Sequence, residues 1–237
     1  MRGTIVALGG GFSMSDDGSS PIDDVLLDLT GASRPRVCFI PTASGDAESY
    51  SRRFEDAFAG RAETSVLSLF CHDPWGYADP RILLDQDLVY VGGGSTANLL
   101  AVWRLHGLPE ILAEAAGNGV VLAGISAGMN CWFESSSTDS FGPLAPLRDG
   151  LGFLSGSACP HYLGEPERRD LYQRWVAAGE LEGGYAVDEY AAIVMHDGQF
   201  VEAICEQPDR PVFRVHRDGE RAVEERIDVR RLPGRAS

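Results

Sequence analysis

One serine in the sequence lies in a setting that could make it a nucleophile. Ser126 stands between Gly124 and Gly128 in a G-x-S-x-G pattern, directly after the apolar run 120–123. A strand that turns sharply into a helix at such a serine strains its backbone and exposes its hydroxyl at the carboxyl end of a sheet. The first N–H groups of the next helix, expected over residues 127–133, could stabilise an oxyanion. The pattern predicts acyl-transfer chemistry at Ser126.

A nucleophilic serine also needs a histidine base. This requirement matters because G-x-S-x-G should arise by chance about 0.3 times in a chain with 28 glycines and 19 serines. Among the five histidines, His161 is preferred, because it follows Cys159-Pro160 at the end of an apolar segment, where catalytic side chains are exposed. His72, in a Cys-His-Asp-Pro-Trp loop, is the alternative, and the other three stand near turn glycines.

Two places could supply the carboxylate that orients the base. Asp188 and Glu189 lie in the apolar run 185–194, and carboxylates in such a run are rarely buried without a partner. An exposed position on an edge strand is the alternative for both. Asp139 lies in the loop soon after the serine. With Glu189 the chain order is serine, histidine, acid, which differs from the order in lipase-type α/β-hydrolases and predicts another fold.

The elements that must position these residues alternate between strands and helices before residue 135. The predicted strands are 4–8, 36–40, 64–70, 87–91 and 120–123, and the helices include 21–29, 46–59 and 108–116. This alternation is typical of a parallel sheet with helices on both faces. The turn at residues 9–11 is three glycines, not G-x-G-x-x-G, so we assign no dinucleotide site to it.

The later part of the chain has a different pattern. Residues 135–150 are interpreted as a loop, 151–160 as one or two short strands, and 166–178 as a helix. Four further strands are predicted at 185–195, 200–205, 212–216 and 222–227, with hairpins at Asp-Gly turns. The predicted fold is therefore a three-layer α/β/α architecture with a mostly parallel sheet and C-terminal antiparallel hairpins. We expect a single domain over residues 1–237, with a loose tail from about residue 233.

Composition limits the partners. The net charge of −15 argues against nucleic acid and membrane surfaces. Five widely spread cysteines without a C-x-x-C pair predict reduced thiols and a cytoplasmic location rather than disulfides or a zinc site. We expect no membrane span, since no apolar run approaches ~20 residues, and no signal peptide, since glycines come too early. The expected partner is a small substrate, with no metal or other cofactor, for a monomer or a homodimer.

Three segments together resemble the S51 family of serine peptidases, and within it the aspartyl dipeptidases. They are V-G-G-G-S-T at 91–96, G-I-S-A-G-M-N at 124–130 and P-H-Y at 160–162. The resemblance extends from the first strand to about residue 205, and the serine turn with its A-G-x-N continuation is its most specific part. The sibling cyanophycinases share much of the pattern, but they are usually longer.

The resemblance implies a class I glutamine-amidotransferase-like fold with Ser126 as nucleophile and His161 as base. It implies Glu189 as the third member, while Asp139 is the nearest match to an aspartate that has also been considered in the family. It further implies an oxyanion hole formed by the backbone N–H groups of Ala127 and a glycine of the turn at 92–94, for which we choose Gly94. The family's usual asparagine after that turn is a serine here.

The activity implied is hydrolysis of dipeptides and short peptides that begin with aspartate. An acidic side chain requires an arginine, whose fork matches a carboxylate. Arg168 and Arg169 follow His161 where the family places such a residue, and Arg169 is preferred. The alternatives are cyanophycinase-like cleavage of β-aspartyl-arginine chains and a non-catalytic binding domain on the same fold. An amidotransferase is disfavoured because those sites carry cysteine, a better nucleophile, at the turn.

Overall fold

The computed structural model of the chain describes residues 1–11, 20–71 and 75–234. The helices and strands are, in order, β1 (Thr4–Leu8), α1 (Pro21–Leu29), β2 (Arg36–Ile40), α2 (Glu48–Phe58), β3 (Glu63–Val66), β4 (Leu88–Val91), α3 (Thr96–Leu105), α4 (Leu108–Gly117), β5 (Val121–Ile125), α5 (Ala127–Asn130), β6 (Phe133–Thr138), β7 (Ala145–Leu147), β8 (Leu154–Cys159), α6 (Arg168–Ala178), β9 (Gly184–Val187), β10 (Ala191–His196), β11 (Gln199–Cys205), β12 (Val212–Asp218), β13 (Arg221–Ile227) and β14 (Val229–Arg231).

The larger of two sheets has eight strands in the order β14-β11-β10-β1-β5-β4-β2-β3. The five strands from β1 to β3 in this order run parallel, and β10 pairs with β1 in the antiparallel direction. Strand β5 lies between β1 and β4, each of which ends in a run of three glycines. Because the carboxyl ends of parallel strands meet at one edge of a sheet, both glycine turns flank Ser126.

The smaller sheet has six strands in the order β13-β12-β9-β8-β6-β7. Of the two predicted C-terminal hairpins, β10–β11 joins the larger sheet, whereas β12–β13 belongs to the smaller one because β12 pairs with β9. Both hairpins are present, but they extend two sheets rather than one. The single strand predicted over 185–195 is wrong, because this stretch forms two strands, β9 in the smaller sheet and β10 in the larger one.

The larger sheet carries apolar clusters on both faces. Val6 and Leu8 of β1 pack in one cluster with side chains from α1 and α2, including Phe54. Ile5 and Ala7 pack in the other, with side chains from α3, α4 and the smaller sheet. Successive residues of a strand point to opposite faces, so β1 is covered on both sides. This arrangement agrees with the predicted α/β/α layers, and α6 packs separately on the smaller sheet.

The predicted loop at 135–150 is wrong, because it contains most of β6 and all of β7. Strand β6 reads Phe-Glu-Ser-Ser-Ser-Thr and has no apolar alternation that would reveal a strand, although its four final residues are all buried. The helix predicted over 127–133 stops at Asn130, because Phe133 already belongs to β6. Strand β3 also ends earlier than predicted, at Val66.

Several sequence-based expectations concern the whole chain. All five cysteines lie among the described residues and are free thiols, and Cys38 and Cys205 are buried as expected. Of the helices that the structure describes, none has the length and apolar character required to cross a bilayer. The tail predicted from about residue 233 falls in part outside the described residues.

Candidate active site

Ser126 occupies the sharp turn between β5 and α5. Its backbone angles are φ 56° and ψ −109°, which a residue with a side chain rarely adopts. The flanking glycines are required by space, because a Cβ on Gly124 would collide with the carbonyl of Gly128, and one on Gly128 would lie 2.5 Å from the Val91 carbonyl oxygen. The Ser126 N–H donates to the Leu8 carbonyl at 3.0 Å, which fixes the turn to β1. The strained turn predicted from the sequence is therefore present.

A chain of hydrogen bonds joins three side chains at this turn. His161 Nε2 lies 2.8 Å from Ser126 Oγ, and His161 Nδ1 lies 2.6 Å from Glu189 Oε1. A carboxylate can only accept, so it favours the tautomer with the proton on Nδ1. Nε2 is then free to accept the hydrogen of the serine hydroxyl. The side chains of His161 and Glu189 are 17% and 20% exposed, so the pair is largely shielded from water while the serine remains accessible.

A buried aspartate holds the turn that carries His161. Asp188 Oδ1 accepts the N–H groups of Leu163 and Gly164, each at 2.9 Å, and its side chain is 3% exposed. Arg210 Nη1 lies 3.7 Å from its other oxygen. The two adjacent acidic residues that the sequence singled out therefore have different partners. Asp188 accepts hydrogen bonds from the backbone beside the histidine, and Glu189 binds the histidine ring.

Glu189 lies where the chain passes from β9 of the smaller sheet to β10 of the larger one. The hydrogen bond from His161 lowers the pKa of Glu189, and the positive charges of Arg210 and Arg168 lower it further, against the opposing effect of burial. The side chain is therefore a carboxylate at neutral pH, as the stabilisation of a positively charged imidazole requires.

The glycine turn after β1 makes room for this pair, a role that sequence reasoning missed. A Cβ on Gly10 would collide with the His161 ring, and one on Gly11 would collide with Glu189 Oε2. Gly10 also accepts the Tyr190 N–H at 2.7 Å. The run of three glycines was visible in the sequence, but its role was not, because His161 and Glu189 come from far along the chain.

In the second glycine turn, at 92–94, two of the three backbone N–H groups donate hydrogen bonds to described residues and the third does not. Gly92 donates to a carbonyl at the end of β2 at 3.2 Å, and Gly93 donates to the Tyr50 hydroxyl at 3.2 Å. Within the described part of the chain, the N–H groups of Gly94 and Ala127 have no acceptor. These two amides are the ones that the sequence analysis expected in an oxyanion hole.

A polar network ties the serine turn to the start of α3. Asn130 Nδ2 donates to Thr96 Oγ1 at 3.3 Å and to the Ser137 carbonyl at 3.0 Å. Ser95, at the position where the family usually has asparagine, caps α3 by accepting the Asn98 N–H. The network fixes α5 against the glycine turn.

Other predicted site residues lie elsewhere. Asp139 is exposed, and the carboxylate on the histidine ring belongs to Glu189. His72 lies outside the described residues. The buried Arg168 pairs with Glu165, and the half-exposed Arg169 pairs with Glu224 at 2.9 Å, because the first turn of α6 faces β13. To receive a substrate, Arg169 would have to exchange Glu224 for it. In the ranges that the structure describes, no group of three acidic, histidine or cysteine side chains could hold a metal ion.

Comparisons with known proteins agree on a class of enzyme. The model of peptidase family S51 matches residues 5–203. An uncharacterized peptidase of Bacillus subtilis strain 168, YgaJ, is 44% identical over 216 residues, which are 91% of this chain and 92% of the relative. Peptidase E of Streptomyces coelicolor is 27% identical over 77% of this chain and 72% of its own length.

Two solved structures share the fold. A peptidase from an acI-B1 actinobacterium superposes with a TM-score of 0.69 at 17% identity, over 95% of both chains. A putative peptidase E protein of Listeria monocytogenes EGD-e gives a TM-score of 0.62 at 18% identity, over 87% of this chain and all of the other. At these identities the superpositions show the fold alone.

Proposed function

Because this chain belongs to peptidase family S51, we propose that it is a serine-type dipeptidase that hydrolyses dipeptides and short peptides with an N-terminal aspartate. The observation that carries the proposal is the hydrogen-bonded chain from Ser126 through His161 to Glu189, with distances of 2.8 and 2.6 Å. Relatives called peptidase E, and the resemblance of residues 124–130 to aspartyl dipeptidases, support the substrate class.

In the proposed reaction, His161 Nε2 takes the hydroxyl proton of Ser126 as Oγ attacks the carbonyl carbon of the first residue. Base catalysis of this kind contributes about 10²- to 10⁴-fold to the rate. The Glu189 carboxylate holds the ring at Nδ1 and stabilises the positive charge that the ring acquires. The lowered pKa of Glu189 suits this role, because the side chain stays charged throughout the neutral range.

The negative charge that develops on the carbonyl oxygen needs donors that are already in place. We assign this role to the N–H groups of Gly94 and Ala127, each of which would lower the barrier by roughly 3 kcal/mol. The imidazolium then gives its proton to the leaving amine, which departs as the second amino acid. A water molecule, activated by the same histidine, hydrolyses the aspartyl ester of Ser126 and restores the free enzyme.

The test is Ser126→Ala on the purified full-length chain, assayed with Asp-Leu. Loss of a triad serine costs on the order of 10⁶ in kcat, so turnover should fall to background. Ser155→Ala is the matched control, because Ser155 is an exposed serine on β8.

Turnover that survives in the Ser126→Ala variant would contradict the nucleophile. A wild-type chain that cleaves β-aspartyl-arginine but not Asp-Leu would be a cyanophycinase-like hydrolase instead. A chain inactive on both would favour a binding domain on the same fold.

A further inference from the structure

An acidic substrate must meet a positive charge in a chain whose net charge is −15. All 20 residues of the Lys+Arg count are arginines, so an arginine must supply the charge. The two arginines that follow His161 in the chain are occupied, since Arg168 pairs with Glu165 and Arg169 with Glu224. Neither arginine can bind a substrate without losing its pair, so an arginine without an ion pair is better placed to supply the positive charge that the proposed substrate requires.

Helix α2 presents an arginine and a tyrosine together on one face. Tyr50 and Arg53 are three positions apart, a spacing that places side chains next to each other on a helix. The guanidinium carbon of Arg53 lies 5.3 Å from the centre of the Tyr50 ring. Arg53 is exposed and makes no ion pair within the described residues, whereas its neighbour Arg52 is paired with Glu48 at 3.0 Å.

Tyr50 connects this face to the reacting serine. Its hydroxyl accepts the Gly93 N–H at 3.2 Å. Gly93 in turn lies against Ser126, since a Cβ built on it would stand 3.8 Å from Ser126 Oγ. Burial raises the pKa of the Tyr50 hydroxyl, so it keeps its proton at neutral pH. While it accepts from Gly93, this hydroxyl can donate its own hydrogen to a ligand.

The order of strands determines which part of the substrate reaches Tyr50. Ser126 follows β5, with β1 on one side and β4 on the other. His161 approaches the turn after β1, and Tyr50 is hydrogen-bonded to Gly93 in the turn after β4. The histidine must protonate the leaving amine, so the second amino acid of the substrate lies on the β1 side. The first residue, whose carbonyl is attacked, is then directed toward β4.

We propose that Tyr50 and Arg53 form the subsite that binds the side-chain carboxylate of the substrate's N-terminal acidic residue. The inference rests on the proposed function and supplies its specificity-determining residues. The guanidinium fork can donate to both carboxylate oxygens, and the phenol adds a third hydrogen bond. Arg53 is exposed, so its guanidinium is accessible to a ligand that contacts the Tyr50 hydroxyl.

The experiment compares kcat/KM for Asp-Leu and for Asn-Leu, which has the same shape but no charge. Arg53→Met removes the charge and keeps much of the side-chain length, and Arg52→Met is the matched control on the next residue. A hydrogen-bonded charge contributes enough that the Asp-Leu to Asn-Leu ratio should fall about 10- to 100-fold in Arg53→Met. The change should be mainly in KM, since the interaction is made before and during the reaction. Arg53→Lys should recover part of the ratio.

Three outcomes separate the subsite from the function. A ratio in Arg53→Met equal to that in Arg52→Met would overturn the subsite while the dipeptidase stands. A lowered ratio in Arg53→Met alone would support it. A wild-type enzyme that depends on Ser126 but does not prefer Asp-Leu over Asn-Leu would remove the proposed substrate and the subsite together. Because Arg53 is exposed, its replacement should leave the unfolding temperature unchanged, which separates specificity from folding.

Discussion

Ser126 and His161 both have positive backbone φ angles, of 56° and 53°, which residues with a side chain rarely adopt. Such conformations cost about 1–3 kcal/mol for a residue with a side chain, and they persist where the surrounding structure enforces them. At Ser126 the enforcing contacts are those of Gly124 and Gly128, and at His161 they are the two backbone N–H groups bound by Asp188. The strain places the hydroxyl and the imidazole within hydrogen-bonding distance.

Glu189→Gln tests the carboxylate at the residue scale. An amide at this position cannot stabilise a positively charged imidazole, and it can hold the ring in the wrong tautomer. We therefore expect kcat for Asp-Leu to fall by orders of magnitude, up to about 10⁴-fold. Steady-state kinetics of the purified variant provide the measurement.

Asp139→Asn is the companion variant, because the sequence favours Glu189 as the third member and leaves Asp139 as the alternative. Its side chain is exposed, so we expect kinetics close to wild type. The reverse pattern, with Asp139→Asn inactive and Glu189→Gln active, would contradict the account. Local patterns predict Ser126 and His161, whereas Glu189 is preferred only through the family resemblance, because its contact with His161 spans 28 residues and no local pattern records it.

At the scale of elements, the two glycine turns that follow β1 and β4 have different roles in the site. The turn at 92–94 presents amides beside the serine, and the turn at 9–11 leaves space for the histidine and the glutamate. The sequence predicted both turns, but only the turn at 92–94 was connected with the site. The missing information was spatial, because the groups that approach Gly10 follow it by about 150 residues or more.

Gly10→Ala tests the space that the first turn provides. The added methyl group would collide with the His161 ring and displace it from Ser126. A displacement of about 1 Å can cost 10²-fold in rate, so we expect a loss of at least that size in kcat. The assay is turnover of Asp-Leu, with the unfolding temperature measured in parallel.

Gly117→Ala is the control for a glycine that has open space. It lies at the end of α4 with no atom within 4 Å of the added Cβ, and alanine favours helices. Activity should be unchanged in this variant. If Gly10→Ala were as active as Gly117→Ala, the close approach of His161 to the turn would be contradicted.

At the scale of the whole molecule, the site connects two sheets. Ser126 follows a strand of the larger sheet, His161 follows a strand of the smaller one, and Glu189 lies at the passage between them. The alternation of strands and helices predicted the larger sheet well, since its apolar strands are short and clearly bounded. The smaller sheet was only partly predicted, because β6 is rich in buried serine, which resembles a loop in sequence.

A carboxylate on β13 anchors the smaller sheet to the histidine loop. Glu224 accepts hydrogen bonds from Arg169 at 2.9 and 3.0 Å, from Gln173 at 2.8 Å and from the hydroxyl of Tyr162, the residue after His161. Burial acts to raise the pKa of Glu224, but the hydrogen bonds from Arg169 and Tyr162 outweigh it and hold the pKa below the ordinary 4.5. The charged form is therefore the one that stabilises the fold.

Glu224→Gln should reduce stability in a manner that depends on pH. A lowered pKa in the folded state contributes stability that is present above pH 4.5 and is lost as the pH falls through the lower, folded value. We expect the variant to lose about 1–3 kcal/mol in its free energy of unfolding at pH 7. The deficit should shrink as the pH falls below 4.5, measured by urea unfolding across that range.

Glu225→Gln serves as the control, because Glu225 is the exposed neighbour on the same strand. It should unfold like the wild type at neutral pH. A Glu224→Gln deficit that is the same at every pH, or absent at pH 7, would contradict the anchoring role.

The most direct measurement of the central claim is the site at which a serine-directed fluorophosphonate reacts. The chain has 19 serines, and only an activated one should attack phosphorus rapidly. Peptide mapping by mass spectrometry should find a single adduct on Ser126, and the His161→Gln variant should form it far more slowly. An adduct on another serine, or equally fast labelling of Ser126 without His161, would contradict the account.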